Sequence, residues 1–289
     1  SYFGSFPIPV TGLTGSAADI AGAAKQFDVF YETVRYSETD YTIDHTASLF
    51  LVDREGKRAG EIGFDADDTL WHNETFFRLT HQRFAQLLSD SDPVQLSERL
   101  EAAERRNLGH YGFGIKGFML SMIETAIEVT EGRVEASVIA EILAAGREML
   151  RHPVDLLPHA RETVTALAAD HRVVLITKGD LLDQERKLAQ SGLGDLFHGV
   201  EIVSDKTAAM YQAAFARHGA GPQNAAMVGN SLKSDVLPAL AVGAWGIHVP
   251  HDLTWSYEQA EPPIDAPRFR AISDLGALPI LIAELKNTP

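Results

Sequence analysis

The sequence contains no cysteine among its 289 residues. Disulfide bonds, thiolate metal sites and cysteine nucleophiles are therefore excluded. The missing cysteine fits reducing and oxidising compartments alike, so it does not fix the location, and a cytoplasmic location is our expectation. No apolar run in the sequence is long enough to cross a membrane. The sequence begins at Ser1 with no basic-then-apolar leader behind it, and we expect a fragment or a processed product.

Basic residues are also scarce relative to acidic ones. The chain has 25 Lys and Arg against 40 Asp and Glu, which gives a formal net charge of -15. Such a surface repels nucleic-acid backbones and anionic membranes, so we expect neither as a partner. No long block of like charge occurs, and we therefore interpret the acidity as a source of solubility. The sequence does not indicate an oligomeric state.

Short, nearly unbroken apolar runs recur after residue 60, and each is bounded by glycine or polar residues. The runs are Glu61–Phe64, Val173–Ile176, Val200–Val203, Ala225–Val228 and Trp245–Val249. Runs of this length are typical of buried parallel strands. Amphipathic stretches lie between them at Leu181–Gln190, Thr207–His218 and Leu232–Val242. The alternation predicts an α/β fold with a doubly wound, mostly parallel sheet over residues 61–73 and 151–289.

Two parts of the chain depart from this alternation. Residues 74–150 show helical patterns only: Val134, Val138, Ile142 and Met149 share one helical face, and Phe76, Leu79, Phe84 and Leu87 suggest another. We predict a helical cap inserted between the first two strands of the sheet. Residues 1–60 form a separate segment, with a predicted helix at Ser16–Gln26, strands at Val29–Val34 and Ala47–Val52, and a turn at Asp53–Gly56.

The first predicted strand of the sheet runs directly into three acidic residues, Asp65, Asp67 and Asp68. Side chains alternate along a strand, so Asp65 and Asp67 project to the same side at the carboxyl end, where ligands bind in open α/β sheets. Two converging carboxylates repel each other unless a cation lies between them, and hard oxygen ligands suit magnesium. The alternative is an acidic loop that caps the next helix.

Three further predicted strands end in polar or charged residues. Thr177 and Lys178 follow the second strand, and Thr177 with its neighbouring backbone N–H groups has the donors to hold a phosphoryl oxygen. Lys206 lies just beyond the third strand, and Asn230 and Asp235 follow the fourth. Each has an ordinary alternative, as a helix cap, a solvated surface lysine or a first-turn acid. Their common position at one edge of the sheet favours a shared site.

The order and spacing of these residues resemble the haloacid dehalogenase superfamily of phosphohydrolases, over about 230 residues. The DxDxT signature of the family matches Asp65, Asp67 and Thr69, and its strand-end Ser/Thr matches Thr177. Its lysine matches Lys206, and its GDxxxxD motif matches Gly229 to Asp235. Asn230 departs from that last motif, because it supplies no charge to a metal.

The resemblance implies a magnesium-dependent phosphomonoester hydrolase acting on a small phosphorylated metabolite. Asp65 would attack phosphorus and form an aspartyl-phosphate. Asp65, the Asp67 backbone carbonyl and Asp235 would hold Mg²⁺, with Asn230 as a weaker, uncharged metal residue. Asp67 would act as general acid and then as general base. Thr177, Lys178 and Lys206 would bind the phosphate oxygens.

A 2-haloacid dehalogenase is the first alternative within this resemblance. Halide leaves without a proton, and those relatives lack the second Asp of the signature, so Asp67 argues for phosphate. In the cap, cations such as Arg106 and Lys116 beside glycine hinges suggest closure over an anionic ligand, with solvated helix ends as the alternative.

Residues 1–60 are similar to the C-terminal half of the Sco/SenC copper chaperones, a family that implies a partial thioredoxin-like segment. The similarity rests on Leu13–Ser16, Val29–Glu32 and Tyr41–Lys57, where His45 matches the copper-binding histidine of the family. The cysteine pair that supplies soft thiolates is missing from the chain. The second alternative to a phosphatase is a non-catalytic copper-binding or interaction module that works through residues 1–60. A truncated fusion, a residual packing segment and a junction formed when the sequence was assembled stay open as explanations.

Overall fold

A computed structural model describes residues 16–26, 31–35, 41–45 and 60–285 of the chain. The chain divides into two compact units, Ser1–Arg58 and Ala59–Pro289. The smaller unit contains helix α1 (Ala17–Gln26) and the antiparallel strands β1 (Tyr31–Arg35) and β2 (Tyr41–His45). The start of α1 is fixed by Ser16 and Asp19, which exchange backbone and side-chain hydrogen bonds in a capping-box arrangement.

The predictions for the N-terminal segment have mixed outcomes. The helix is present, and β1 overlaps the predicted strand Val29–Val34. The sequence patterns do not reveal β2, whose last residue is His45. The predicted strand Ala47–Val52 and turn Asp53–Gly56 lie outside the described residues, and so does most of what would define a thioredoxin-like segment.

The larger unit is built on a six-stranded, fully parallel sheet. Its strands are β3 (Glu61–Phe64), β4 (Arg172–Lys178), β5 (Gly199–Val203), β6 (Ala225–Gly229), β7 (Trp245–His248) and β8 (Phe269–Ala271). The spatial order is β5-β4-β3-β6-β7-β8, so the chain builds outward from β3 to one side and then to the other. The crevice between β3 and β6 is therefore the topological switch point, where ligands bind in such sheets. The predicted α/β fold is confirmed.

Helices cover both faces of this sheet, as parallel strands require. They are α6 (Ala160–Ala168), α7 (Leu181–Ser191), α8 (Ala208–His218), α9 (Leu237–Ala241) and α10 (Leu278–Leu285). A single π-helical turn, Leu232–Val236, precedes α9. One buried cluster, which includes Phe64, Val173 and Val228, packs against one face, and a second, which includes Val174, Tyr211 and Phe215, packs against the other.

Four helices between β3 and β4 form a separate layer with its own apolar core. They are α2 (Glu74–Leu87), α3 (Pro93–Tyr111), α4 (Ile115–Val129) and α5 (Ala136–Arg151), and we call them the cap. Phe84, Leu100, Phe118, Met122 and Ile142 are buried among them. The first turn of α3 is fixed by Asp92, whose carboxylate accepts hydrogen bonds from Val94 N and Gln95 N.

Two details differ from the sequence predictions. The helical pattern predicts Leu79 on the buried face of α2, but its side chain is 56% exposed, because Thr80 and Phe84 face the core instead. Strand β8 is not predicted, since three residues are too few to show a periodic pattern. None of the helices in the described ranges is long and apolar enough to cross a membrane.

Candidate active site

The turn after β3 places Asp65 at the switch point of the sheet. Asp65 N donates to Val228 O at 2.8 Å, which continues the pairing of β3 with β6 by one residue. The chain then turns tightly, with Leu70 N donating to Ala66 O and Asp68 in the left-handed region at φ 59°. A non-glycine residue in that region stores backbone strain of about 1–3 kcal/mol, which the surrounding structure has to hold.

Asp68 performs the capping role that was the alternative interpretation of the acidic motif. Its carboxylate accepts hydrogen bonds from the backbone N–H groups of Asn73 and Glu74, at the start of α2. Asp65 and Asp67 line the cavity described below and bond to side chains of the site. All three acids of the motif line the cavity, but only Asp68 caps a helix, whereas Asp65 and Asp67 bond to charged side chains of the site.

Asp65 and Asp235 share the ammonium group of Lys206. Lys206 Nζ donates to Asp65 Oδ1 at 2.5 Å and to Asp235 Oδ1 at 2.7 Å, and all three residues are buried. Burial and then Asp235 raise the pKa of Asp65 to about 7, although Lys206 acts in the opposite direction. Burial alone would lower the pKa of Lys206, but Asp235 and Asp65 raise it above its ordinary value. Two carboxylates thus meet one cation, and the centre is short of positive charge.

Asn230 and Thr69 connect β6 to the turn after β3. Asn230 N donates to Thr69 Oγ1 at 3.1 Å, and Thr69 Oγ1 lies 3.1 Å from Asp65 Oδ2. Ser231 N donates to Asp235 Oδ2 at 2.9 Å. These contacts fix the orientation of both carboxylates towards the same crevice.

Asp67 lies in a cluster of donors that the sequence motifs do not include. Its carboxylate accepts from Lys187 Nζ at 2.6 and 2.8 Å, from Gln184 Nε2 at 2.8 Å and from Trp71 Nε1 at 2.7 Å. Burial would raise the pKa of Asp67, but Lys187 and these hydrogen bonds lower it below its ordinary value. The carboxylate of Asp67 is therefore held in its ionised form.

Thr177 and Lys178 differ in what they present to the site. Thr177 is buried and lines the cavity described below, next to Asp65 in the sheet order. Lys178 Nζ is already engaged: it pairs with Glu258, donates to Ser234 Oγ at 2.8 Å and lies 4.0 Å above the ring of Phe113. To bind a phosphate oxygen, as the sequence predicts, Lys178 would have to give up its pairing with Glu258.

Glu258, Gln184 and Lys187 are the site residues that sequence reasoning missed. Gln184 and Lys187 lie one helical turn apart on α7, so their spacing was a usable signal once Asp67 had been placed. Glu258 lies in a loop with no periodic pattern. Arg106 and Lys116 are absent from the described cavity lining; they pair with Glu124 and Asp180.

The site opens into a cavity of about 170 Å³ between the sheet edge and the cap. Asp65, Asp67, Thr177, Lys206 and Asp235 all line it, together with Asn230 and Lys178. The sequence prediction therefore identified residues that lie around a single pocket.

The donors at this centre fit a hard divalent cation. They are the carboxylates of Asp65 and Asp235 with the side-chain oxygen of Asn230, and all three residues line the cavity. Within the described ranges, no group of three or more His, Asp or Glu side chains is arranged to hold a metal. Mg²⁺ commonly binds proteins through one or two carboxylates and keeps water or substrate oxygens as its other ligands, so this smaller set suffices.

A doubly wound sheet, a cap between its first two strands and buried acids with a lysine at the switch point define a class of capped α/β hydrolytic enzymes. A family model described as haloacid dehalogenase-like hydrolase matches residues 62–243, and the chain belongs to this family. A model described as SCO1/SenC matches residues 1–73. Both resemblances seen in the sequence are thereby confirmed. A search of curated proteins returned no match.

Solved structures agree with this assignment. A haloacid dehalogenase-like family hydrolase from Xanthomonas campestris is 44% identical, with a TM-score of 0.72, covering 81% of this chain and 94% of that one. A hydrolase of the same type from Bacillus subtilis, bound to magnesium, is 16% identical (TM-score 0.55; 78% and 99% covered). The L-2-haloacid dehalogenase of Xanthobacter autotrophicus, with chloropropionic acid covalently bound, is 17% identical (TM-score 0.53; 80% and 100% covered). The last two similarities establish a shared fold only.

Proposed function

We propose that this chain is a magnesium-dependent phosphomonoester hydrolase that acts on a small phosphorylated metabolite through an aspartyl-phosphate intermediate. The observation that carries the proposal is the buried centre in which Asp65 and Asp235 share the single ammonium of Lys206. Two carboxyl groups thus share one cation there, next to oxygen donors that suit Mg²⁺. A bound Mg²⁺ would supply the charge that offsets the repulsion between the Asp65 carboxylate and a phosphate group.

The cavity lining supports a phosphate ester over a 2-haloacid. Nine acidic side chains and three lysines line the cavity, and its described lining includes no arginine. All three lysines are paired: Lys206 with Asp65 and Asp235, Lys187 with Asp67, and Lys178 with Glu258. Either anion has to share lysines that are already paired, but a phosphate would also share the charge of a divalent ion, which displacement of halide does not require.

The reaction divides into two displacements. Asp65 attacks phosphorus, an O–P bond forms and the ester O–P bond breaks, so that the departing alkoxide needs a proton. Water then attacks the aspartyl-phosphate, loses a proton to Asp67 and regenerates Asp65 with release of inorganic phosphate. Thr177 and Lys206 contact the developing charge on the equatorial oxygens.

The ionised form of Asp67 is suited to the second of these steps, the attack of water on the aspartyl-phosphate. The ionised carboxylate seen here can accept a proton from water. The first step needs the protonated form, so Asp67 has to release Lys187 once in each cycle.

Assays of a chromogenic phosphate ester and of 2-chloropropionate, each with and without a chelator, test the proposal. We expect phosphate release that is lost with the chelator and restored by Mg²⁺, and no chloride release. The variant Asp65→Asn should lose at least about a thousandfold in kcat, because no nucleophile remains, with little change in the unfolding temperature. Chelator-resistant chloride release would reject the phosphatase in favour of the dehalogenase.

A cytoplasmic location and the absence of nucleic-acid and membrane partners complete the proposal. The net charge of -15 supports the partner assignment, and a phosphorylated metabolite as substrate supports the location. Cell fractionation followed by the phosphatase assay checks the location.

A further inference from the structure

The cavity wall formed by the cap is chemically different from the wall that holds Asp65. Glu74 and Phe77 from α2, Glu104 from α3, and Phe113 and Phe118 at and after the α3–α4 junction line this side, and Trp255 from the loop after β7 closes it. In the proposed reaction the phosphate binds at the sheet edge. The leaving group therefore contacts the cap wall, whose side chains set what that group can be.

Two carboxyl groups on this wall have no Lys or Arg partner among the described residues. The carboxylate of Glu74 makes no hydrogen bond or ion pair with any described residue, and burial, followed by Asp68 and Glu104, raises its pKa to about 8. Glu104 Oε1 is buried, lies 3.2 Å from His81 Nε2 and accepts no hydrogen bond. Burial therefore favours the neutral acid at Glu74, and a positive group bound in the cavity would favour its carboxylate form and pair with Glu104.

The cations already in the cavity cannot supply this charge without breaking another pair. Lys206, Lys187 and Lys178 are each bound to a carboxylate on the sheet side. A leaving group with a second phosphate or a carboxylate would add a negative charge beside Glu74 and Glu104. A leaving group with an amine would instead pair with them.

Aromatic rings make the rest of the wall. The rings of Phe77 and Phe118 have centroids 5.0 Å apart, and those of Phe113 and Trp255 are 6.4 Å apart. Aromatic faces bind apolar groups and also organic cations. Phe113 already does so within the protein, since Lys178 Nζ lies over its ring.

We infer that the substrate is a phosphate ester of an amine-bearing alcohol, with the amine recognised by Glu74 and Glu104 and the carbon skeleton by the aromatic rings of the cap wall. This inference rests on the proposed phosphatase function and adds the chemical class of the leaving group. Esters whose leaving group carries a second anion, such as 2-phosphoglycolate, are rejected.

Three phenyl phosphates that differ only at the end of the para substituent provide the test. They carry a 2-aminoethyl, an ethyl and a carboxymethyl group. Methylene groups separate each charge from the ring, so the three leaving phenols have similar acidity. We expect kcat/KM to fall in the order amine, neutral, anion, by about tenfold at each step, the size expected for one charge interaction in a partly buried site. A comparison of kcat/KM for O-phosphoethanolamine and for 2-phosphoglycolate repeats this test of amine and anion on a two-carbon leaving group.

Variants assign the preference to the two carboxylates. Glu74→Gln and Glu104→Gln should each reduce the amine-to-neutral ratio at least about fivefold, while kcat/KM for the neutral ester changes less. Glu131→Gln, an exposed cap residue, is the matched control and should keep the full ratio.

The outcomes separate this inference from the function on which it rests. If the neutral ester is hydrolysed but the amine brings no advantage, or the anion is preferred, the leaving-group inference is rejected and the phosphatase stands. An amine-to-neutral ratio that is unchanged in both glutamate variants also rejects the leaving-group inference alone. If none of the esters is hydrolysed with Mg²⁺ present, both proposals fall together.

Discussion

Asp67 and Lys187 form an ion pair in the same cavity as Asp65. In the proposed reaction Asp67 is both acid and base, and it could not stay in such a pair throughout the cycle. Lys187 holds the pKa of Asp67 below its ordinary value, against the effect of burial. The pairing keeps the base ready for the water step and opposes the protonation required for the ester step. Lys187 is therefore a positioning residue for the proposed reaction, although it belongs to none of the sequence motifs.

Replacement of Lys187 by Met should change how activity depends on pH. Loss of the ammonium lets burial raise the pKa of Asp67, so the ionised base is lost at a higher pH than before. The acidic limb of the kcat profile should move up by about one pH unit, with KM nearly unchanged. Lys233→Met, at an exposed lysine away from the cavity lining, is the control. An unshifted limb would show that Lys187 does not set the ionisation of Asp67.

The sequence could predict some residues of the site but not others. Asp65 and Thr177 follow apolar runs directly, whereas Lys206 and Asp235 lie a few residues beyond theirs. Parallel strands bring their carboxyl ends to one edge, so strand order was enough to place these residues together. Glu258 contacts Lys178 across 80 positions from a loop, and no local pattern encodes that contact. The roles assigned to all these residues stay predictions.

At the scale of single elements, β3 is the strand whose packing positions Asp65. It pairs with β4 on one side and β6 on the other, and Gly63 lies at its centre. A Cβ atom at Gly63 would lie 2.9 Å from Ile176 Cδ1 and 3.0 Å from Met227 Sδ. The glycine therefore permits close packing above the strand that leads into Asp65.

Gly63→Ala should destabilise the protein by about 1–3 kcal/mol, because an extra methyl group overpacks the core. Denaturant unfolding measures the change. Gly109→Ala is the matched control: Gly109 lies in α3 with no atom within 4 Å of its added Cβ, so alanine should stabilise by about 0.5–1 kcal/mol. Equal effects of the two substitutions would contradict the packing argument.

Element prediction succeeded where the apolar pattern was distinct and failed where it was weak. The cap helices, with 14 to 19 residues each, repeat their apolar positions several times. Strand β8 has three residues, which is too few to distinguish a strand from a loop, and β2 lacks the unbroken apolar run by which β3 to β7 were recognised. The prediction for Leu79 was wrong because an apolar residue on a helix need not face the core.

At the scale of the whole molecule, two family resemblances divide the chain. Residues 62–243 carry the hydrolase match, and residues 1–73 carry the SCO1/SenC match. The hydrolase part retains Asp65, Asp67 and Asp235 and departs from its motifs only at Asn230, whereas His45 alone matches the copper ligands of the other family. One imidazole without thiolates is a weak site for cuprous ion.

His45→Ala should therefore change neither the copper content of the protein nor its proposed phosphatase activity. We expect the same copper content after dialysis as in the unmodified chain, close to none, and the same phosphatase kcat/KM. Metal analysis by atomic absorption and the chromogenic assay measure the two. Stoichiometric copper that disappears in the variant would establish a second, metal-binding function.

The cap leaves the core of the larger unit after Trp71 and returns at Leu156, and these two residues pair in a short antiparallel backbone bridge. The segment between them is therefore tethered at two adjacent points, and doubling the length of such a segment adds only about 0.6 kcal/mol of closure cost. Evolution, or a protein engineer, could exchange that whole segment for another without disturbing strand register. Such chimeras would inherit their chemistry from one parent and their choice of substrate from the other.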